Sequence, residues 1–465
     1  MAADALLVPL IVALACALPI GGLARPLAVI SGLVVAGSAA AAIWFGLGAA
    51  SPEAYVWAAP LGAQLAIGAD GYAGALLVLS GLLFAVGAAT SGDVRSPRAY
   101  FALWSLLQAS VAGVLVARDL LLFFAAWDAL LVPLAALLWG WGGADRRQVT
   151  RRLVASWLTG SAFLLTGIVA LGVGARTFAF ADLTGYRLAE GSQVALSLLF
   201  IVAFAIRLPL FPLHAWFTRA CVVAPPPLAI VLCGSVAATA AYAMARICVT
   251  FFPLGMSDLA PYFIAVATVG TLYAALLATR QRDTRTVIAY ASLSQLNVIG
   301  LGIFAGATAG PLVATVSHGL VVASLFLLAA ALARRVGSGA FGPGGLGASM
   351  PVLASLFTLA FLAAIGVPGT SGAAGELLIL AAVIARAPGV GLLAALVIVV
   401  SAVYAARFLR AVFFGPRGTG GDDLGWRERA PVLVLLTLVV ALGVAPRAVG
   451  DLAAPGPAPI VLSGR

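Results

Sequence analysis

Five ionisable side chains lie in or beside long apolar runs, where ordinary sequences place none: Asp128, Arg207, His214, His318 and Glu376. A charge at the centre of a hydrocarbon layer costs at least about 2.5–3.5 kcal/mol, so such groups usually mark an ion or proton path. Carboxyl and imidazole groups can accept and release protons, whereas a guanidinium keeps its proton and acts as a fixed charge. The chemistry this set allows is proton or ion transfer, with Asp128, His318 and Glu376 as the exchanging groups. Each residue also has a quieter reading. Asp128 and Arg207 could be a packing ion pair, and Glu376 could bond freed backbone amides as the neutral acid. His214 could cap a chain break, and His318 could be a satisfied neutral core residue. The four cysteines, Cys16, Cys221, Cys233 and Cys248, show neither CxxC nor metal-ligand spacing, and no metal site is expected.

The elements that must hold these groups are membrane helices. Of 465 residues, 63% are hydrophobic and only 9% charged, and mean hydropathy is +1.13. Soluble domains carry about 25% charged residues, so a soluble enzyme, a disordered chain and a disulfide scaffold are excluded. About fourteen stretches are long and apolar enough to span a bilayer: 5–24, 27–48, 71–91, 99–117, 119–141, 153–175, 193–213, 225–247, 260–279, 287–306, 309–333, 351–386, 389–412 and 431–449. The runs are continuous rather than alternating, which excludes a β-barrel. The expectation is an all-α polytopic membrane protein.

All 26 basic residues are arginine, against 16 acids, giving a formal charge of +10. The arginines are scattered among apolar runs, so this charge signals orientation and not nucleic-acid binding. Eighteen of them, among them Arg146, Arg147, Arg334, Arg335 and Arg417, follow odd-numbered stretches. Seven, among them Arg118, Arg246 and Arg465, lie in the remaining loops and termini. The positive-inside rule puts the richer side in the cytoplasm and both termini outside. Two stretches are interrupted, the seventh by Pro209 and Pro212 and the twelfth by Pro368-Gly369-Thr370-Ser371-Gly372. They are five apart, so a repeat of that period is inverted in the membrane. Paired broken helices in inverted halves point to a transporter's central site, and Arg207 and Glu376 lie at the two breaks.

Several motifs then carry a resemblance. Asp119-Leu-Leu-Leu-Phe-Phe-Ala-Ala-Trp127-Asp128-Ala-Leu-Leu-Val-Pro133, followed by Gly160-Ser161, is similar to D-L-L-L-F-x-x-F-W-E-x-x-L-V-P in the antiporter-like subunits of complex I. Ile206-Arg207-Leu-Pro209-Leu-Phe-Pro212-Leu-His214-Ala-Trp216 resembles their I-K-x-P-x-x-P-x-H-x-W. Asp283-Thr-Arg-Thr-Val-Ile-Ala289-Tyr290-Ala-Ser292-Leu-Ser294 and the pair His318-Gly319 match further motifs. Pro368-Gly369-Thr-Ser-Gly372-Ala-Ala-Gly375-Glu376-Leu-Leu-Ile-Leu380 looks most like subunit M, because subunit N usually carries lysine at position 376. The resemblance runs from about residue 65 to the end.

It implies a proton-translocating membrane-arm subunit of a complex I-like NADH or ferredoxin:quinone oxidoreductase. The enzyme role would be that of a non-redox translocase subunit, without cofactors in this chain. Flavin, iron–sulfur clusters and quinone would belong to partner subunits. Those partners would be other membrane-arm antiporter-like subunits and a peripheral redox arm, in the inner (plasma) membrane. The implied organisation is 1–98 as three N-terminal helices, 99–250 and 260–415 as inverted five-helix repeats, and 416–465 as a loop and last helix. On the family's polar axis, Asp128 takes the place of a glutamate that pairs with a lysine, here Arg207. His318 is then a relay and Glu376 the terminal group, with His214 a further candidate.

Besides the shorter aspartate at position 128, this sequence departs from the family at three places. Arg207 keeps a charge but cannot cycle, Ala238 stands where a lysine is expected, and Gln295 stands for a histidine. Water beside Ser235 and Thr239 could fill the space at Ala238, and a switch at Asp128 that breaks its pair with Arg207 could replace the lost lysine chemistry. Two other functions remain open from the sequence: a structural, non-pumping subunit of such a complex, and a cation/proton antiporter or bicarbonate-linked transport module.

Overall fold

The structure is a computed structural model. It describes residues 2–19, 21–46, 53–58, 63–337, 341, 344–416, 418 and 421–454. Arg417 and Arg465, two of the arginines used for orientation, lie outside the described residues, as do positions 20, 47 and 48 of the first two apolar stretches. All fourteen apolar stretches contain helix. In chain order the helices are α1 (Ala2–Ala17), α2 (Ala24–Trp44), α3 (Gly71–Ala89), α4 (Pro97–Val116), α5 (Leu120–Trp141), α6 (Arg146–Ala175), α7 (Glu190–Arg207), α8 (Phe217–Val223) and α9 (Pro226–Phe251). There follow α10 (Pro253–Arg280), α11 (Thr284–Phe304), α12 (Ala309–Val336), α13 (Pro351–Ala364), α14 (Ser371–Arg386), α15 (Pro388–Phe413) and α16 (Trp426–Val444). Among the described residues eleven helices are long and apolar enough to cross a membrane, or twelve if α16 and the bent segment after it count as one span. The molecule is an all-helical polytopic membrane protein with one small exception.

That exception is an antiparallel hairpin, β1 (Glu53–Ala58) and β2 (Ala63–Ile67), between α2 and α3. The sequence expectation had only loop here. The hairpin is stitched to the rest by backbone bonds from Gly68 to Val116 and from Arg118 to Ala66, both 2.8 Å. Buried Asp119 completes the joint. Its carboxylate caps α5 by accepting from the amides of Leu121 and Leu122, and it also accepts the Gln64 amide at 3.0 Å.

Helices α9, α11 and α12 form the interior, while exposed apolar side chains such as Leu14, Val173, Leu276, Leu392 and Val399 cover the outside. Hydrocarbon is the solvent for those residues. α9 and α12 cross at a glycine contact. A Cβ on Gly234 would stand 3.1 Å from the Cα of Gly319, and one on Gly319 would stand 3.3 Å from the Gly234 carbonyl. A side chain at either position must therefore shift the facing backbone by a few tenths of an ångström and displace Leu83 or Leu79. The loops also sort into two groups. Trp141 Nε1 donates to the Arg95 carbonyl, the Gly143 amide to Val223 and Arg285 to Cys221, which joins loops after odd-numbered stretches to one another. The Leu120 amide donates to Phe178 and the Phe180 amide to Arg118, which joins loops after even-numbered ones. No bond named here crosses between the groups, as strict up-and-down threading requires.

Both expected breaks are present. α7 stops at Arg207, and residues 208–216 form turns before α8; α13 stops at Ala364, six residues before α14. Backbone groups freed inside a membrane must find partners, and one helix serves both breaks. From α11, Asn297 Oδ1 accepts the Phe211 amide at 3.1 Å, while its amide group donates to Leu293. Two residues earlier, Gln295 Nε2 donates to the Ala364 carbonyl at 3.2 Å. α5 carries a third, unexpected interruption at Leu130. Pro133 explains it, because it has no N–H and its ring crowds the carbonyl four residues back.

Replacing Asn297 with leucine leaves the Phe211 amide buried and unpaired. The expected loss is about 1–3 kcal/mol, measured as a lowered unfolding midpoint in detergent, whereas leucine at the lipid-facing Val399 changes nothing measurable.

Candidate functional site

The site is built from the two breaks and the two helices between them. In the first half, Arg207 is the last residue of α7 and 2% exposed. A cation there meets the negative end of the helix dipole. Its Nη1 donates to the Trp127 carbonyl at 2.7 Å. Its guanidinium carbon lies 3.7 Å from the centroid of the Trp127 ring and 4.1 Å from that of Trp157, so the cation is held between two indole faces. Trp157 is in turn packed edge-on against Trp216, whose Nε1 donates to the Ile206 carbonyl at 2.8 Å.

The expected Asp128–Arg207 pair is not a direct one. Among the described residues no N–O distance within 4.0 Å joins them, and the half-buried Asp128 carboxylate instead accepts a short hydrogen bond from Ser161 of α6. The physical reason is reach: aspartate is one methylene shorter than glutamate, and the tryptophan rings already occupy both faces of the cation. Proximity still couples the two charges electrostatically. His214 is half-buried, stacked on Phe211 and edge-on to Tyr273. It sits in the turns of the first break, away from the groups that line the second.

Position 238 is a gap in the structure too. The neighbouring hydroxyls are spent on protein, with Ser235 donating to Ser80 at 2.8 Å and Thr239 to the Val236 carbonyl at 2.7 Å. Both hydroxyl protons are thus committed, which leaves only the hydroxyl oxygens to accept from a water at that position.

The second half is organised differently. His318 on α12 is 8% exposed, and its Nε2 lies 3.0 Å from Ser292 Oγ of α11. It opens on a cavity of about 30 Å³ lined by Ser292, Gln295, Ser317, His318 and Tyr404. Such a space takes about two waters, and its lining supplies the polar partners a buried water needs. Ser371, at the start of α14, donates to Ser317 at 2.8 Å and ties the second break to the helix of His318. Glu376, two turns into α14, is 4% exposed. Gln295 lies against its carboxyl, yet Oε1 has no hydrogen-bond partner among the described residues. Gly366, at φ +73°, closes over the other oxygen, where a Cβ would stand 2.9 Å from Oε2. Among the described residues no cluster of His, Cys, Asp and Glu could hold a metal ion.

Sequence reasoning found the charges but missed three partners. Trp157 reads as an ordinary apolar residue, and Tyr404 as a helix aromatic. Asn297 carried a usable signal, because a second amide two residues after Gln295 in an apolar helix needs a partner.

The comparisons with known proteins fit this geometry. The family model described as NADH:quinone oxidoreductase/Mrp antiporter, TM, matches residues 117–402. The chain belongs to this family. It is 32% identical to "NADH-quinone oxidoreductase subunit M" of Pseudomonas aeruginosa over 421 residues, covering 86% of this chain and 82% of that one. It is also 32% identical to "NAD(P)H-quinone oxidoreductase chain 4 1" of a Synechococcus strain over 415 residues, covering 85% and 79%. A chain in the structure of respiratory complex I from Thermus thermophilus with bound NADH superimposes with a TM-score of 0.88 at 30% identity, covering 97% and 98%. The match to the family model runs from α5 into α15 and so includes both breaks and Asp128, Arg207, His214, His318 and Glu376, with Tyr404 just beyond its end.

A double-mutant cycle tests the aromatic cage. Trp157→Leu and Arg207→Gln are each expected to destabilise the protein, and the two together less than the sum. The coupling should be about 2 kcal/mol, the size of a desolvated cation–π contact, read from unfolding midpoints in detergent.

Proposed function

We propose that this chain is a proton-translocating membrane-arm subunit of a complex I-like quinone oxidoreductase, of the subunit M type. The observation that carries the reading is a set of neighbouring interior groups: His318 and Gln295 border one small cavity, and Gln295 in turn lies against Glu376. A carboxyl buried among α11, α12 and α14 with one oxygen unpartnered is hard to account for as packing, since a buried polar atom left unpaired is destabilising. As a group that alternately takes and gives a proton next to Gln295, which borders a cavity large enough for water, it fits.

In this reading Arg207 is a fixed charge that biases the axis and Asp128 the exchanging group beside it, with Ser161 as its hydrogen-bond partner. Protonation of Asp128 weakens its screening of Arg207, and the uncovered positive charge favours proton release from groups further along. His318 and the cavity water relay, and Glu376 is the terminal site. Gln295 does not exchange protons, but it holds both the break and the Glu376 carboxyl, so its place on the axis is positional. His214 would serve the first break. The redox chemistry would lie in partner subunits holding flavin, iron–sulfur clusters and quinone, with neighbouring antiporter-like subunits on either side. The two breaks and the sorting of the loops support fourteen helices in two inverted repeats. The excess of arginine in the loops after odd-numbered stretches supports a cytoplasmic position for those loops, with both termini outside.

Ala238 favours a second reading, a subunit that holds its neighbours without conducting. The two separate on one measurement, protons moved per electron pair by the assembled complex in sealed vesicles. Glu376→Gln should lower that ratio while quinone reduction continues. An unchanged ratio in Glu376→Gln, together with a higher one in Ala238→Lys, would mean that the native channel is idle.

A further inference from the structure

Gln295 leaves a gap in the proposed relay. It borders the cavity of His318 and lies against Glu376, yet a carboxamide neither takes up nor gives up a proton. A proton in the cavity needs another side chain to go further. Two of the remaining polar liners are already engaged, Ser292 with His318 Nε2 at 3.0 Å and Ser317 with Ser371 at 2.8 Å. The third is Tyr404, which reaches in from α15.

Two observations single it out. The first is that Tyr404 is 1% exposed and its hydroxyl has no hydrogen-bond partner among the described residues. Ser401, one turn earlier on α15, lies beside it without a bond and does not border the cavity. A buried hydroxyl left over by the protein takes water where there is room, and Tyr404 lines that room. The second is the direction of Glu376. Side chains on a helix lean toward its N-terminus and cover the preceding turn. The turn before Glu376 holds Gly372, which has no side chain and lines the cavity. The carboxyl does lean that way, because Gly366, upstream of α14, closes on its Oε2. Its Oε1 is unpartnered among the described residues, and Tyr404 is near enough to feel the charge of this carboxylate. The cavity is thus bounded by Tyr404 on α15 and by Gly372 on α14, one turn from Glu376.

We propose that the Tyr404 hydroxyl is the exchanging group between the cavity water and Glu376, in the place that Gln295 cannot fill. A hydroxyl passes a proton without becoming charged. Its oxygen accepts one from the water on one side while its own proton moves to the acceptor on the other. The acceptor here is Glu376 Oε1, directly or through one water. Only O–H bonds form and break, and a turn about the C–O bond then resets the hydroxyl. This relay rests on the reading of the chain as a proton path.

Tyr404→Phe tests it, because that change removes the hydroxyl and keeps the ring. The lost group leaves no protein partner behind, so a packing role predicts no effect, and the variant should unfold in detergent at the wild-type midpoint or above it. As a relay, the hydroxyl is needed for transfer. Protons moved per electron pair by the assembled complex in sealed vesicles should fall in Tyr404→Phe to the level of Glu376→Gln. The ratio is taken per electron pair, so the amount of assembled complex does not enter it. A wild-type ratio in Tyr404→Phe beside a lowered one in Glu376→Gln overturns the relay and leaves the reading of the chain in place. A wild-type ratio in Glu376→Gln overturns that reading and the relay with it. A Tyr404→Phe protein with both a lowered ratio and a lowered unfolding midpoint also overturns the relay, because the hydroxyl then holds the fold.

Discussion

The structure depends on one constraint: a helix broken inside a membrane must have its freed amides and carbonyls bonded by something other than water or lipid. In the turns after Arg207 and after Ala364 backbone carbonyls take up several amides, and polar side chains take up groups that these leave over. Asn297 holds the first break at Phe211, and Gln295 holds the second at Ala364. Both come from α11, which explains how so apolar a helix carries two amides in its middle. Without those bonds the breaks would be unfavourable, and with them the ends of α7 and α14 are fixed where Arg207 and Glu376 must stand.

The two halves treat charge in different ways. In the first half the charges are enclosed by protein, although Nη2 of Arg207 has no hydrogen-bond partner among the described residues. Arg207 is enclosed by two indole faces and a carbonyl, and Asp128 by Ser161. In the second half the groups are left room. His318 borders a cavity, and one oxygen of Glu376 has no partner among the described residues. A fixed cation on one side and exchangeable groups on the other form an asymmetric device, and the asymmetry follows from arginine at position 207. Lysine there could titrate; arginine could not, and the aromatic cage suits a planar, weakly hydrated cation better than an ammonium.

Much of this was legible in the sequence, for physical reasons. Apolar runs report membrane helices because hydrocarbon demands them, and Pro209, Pro212 and Pro368 with Gly369 report breaks because the backbone cannot continue through them unbent. Intramembrane charges report the site because they are costly. What stayed hidden was pairing. The sequence offered Asp128 as the partner of Arg207, whereas the rings of Trp127 and Trp157 took that place, and an indole face leaves no mark in hydropathy. Gln295 looked like a lost histidine and is a cap. The hairpin at 53–67 was hidden by its brevity, and its anchor Asp119 read only as the first residue of the motif that opens the fifth stretch.

The placement of Gln295 and Asn297 has a mechanical consequence. Two residues along an α-helix are about 200° apart around the axis and about 3 Å apart along it, so the side chains leave α11 on nearly opposite sides at the same depth. The helix works as an axle with a tooth on each side. Each tooth bonds a different break, so the position of one helix sets the position of both. The two half-sites thus share one support, and the depth of each in the membrane is tied to that of the other.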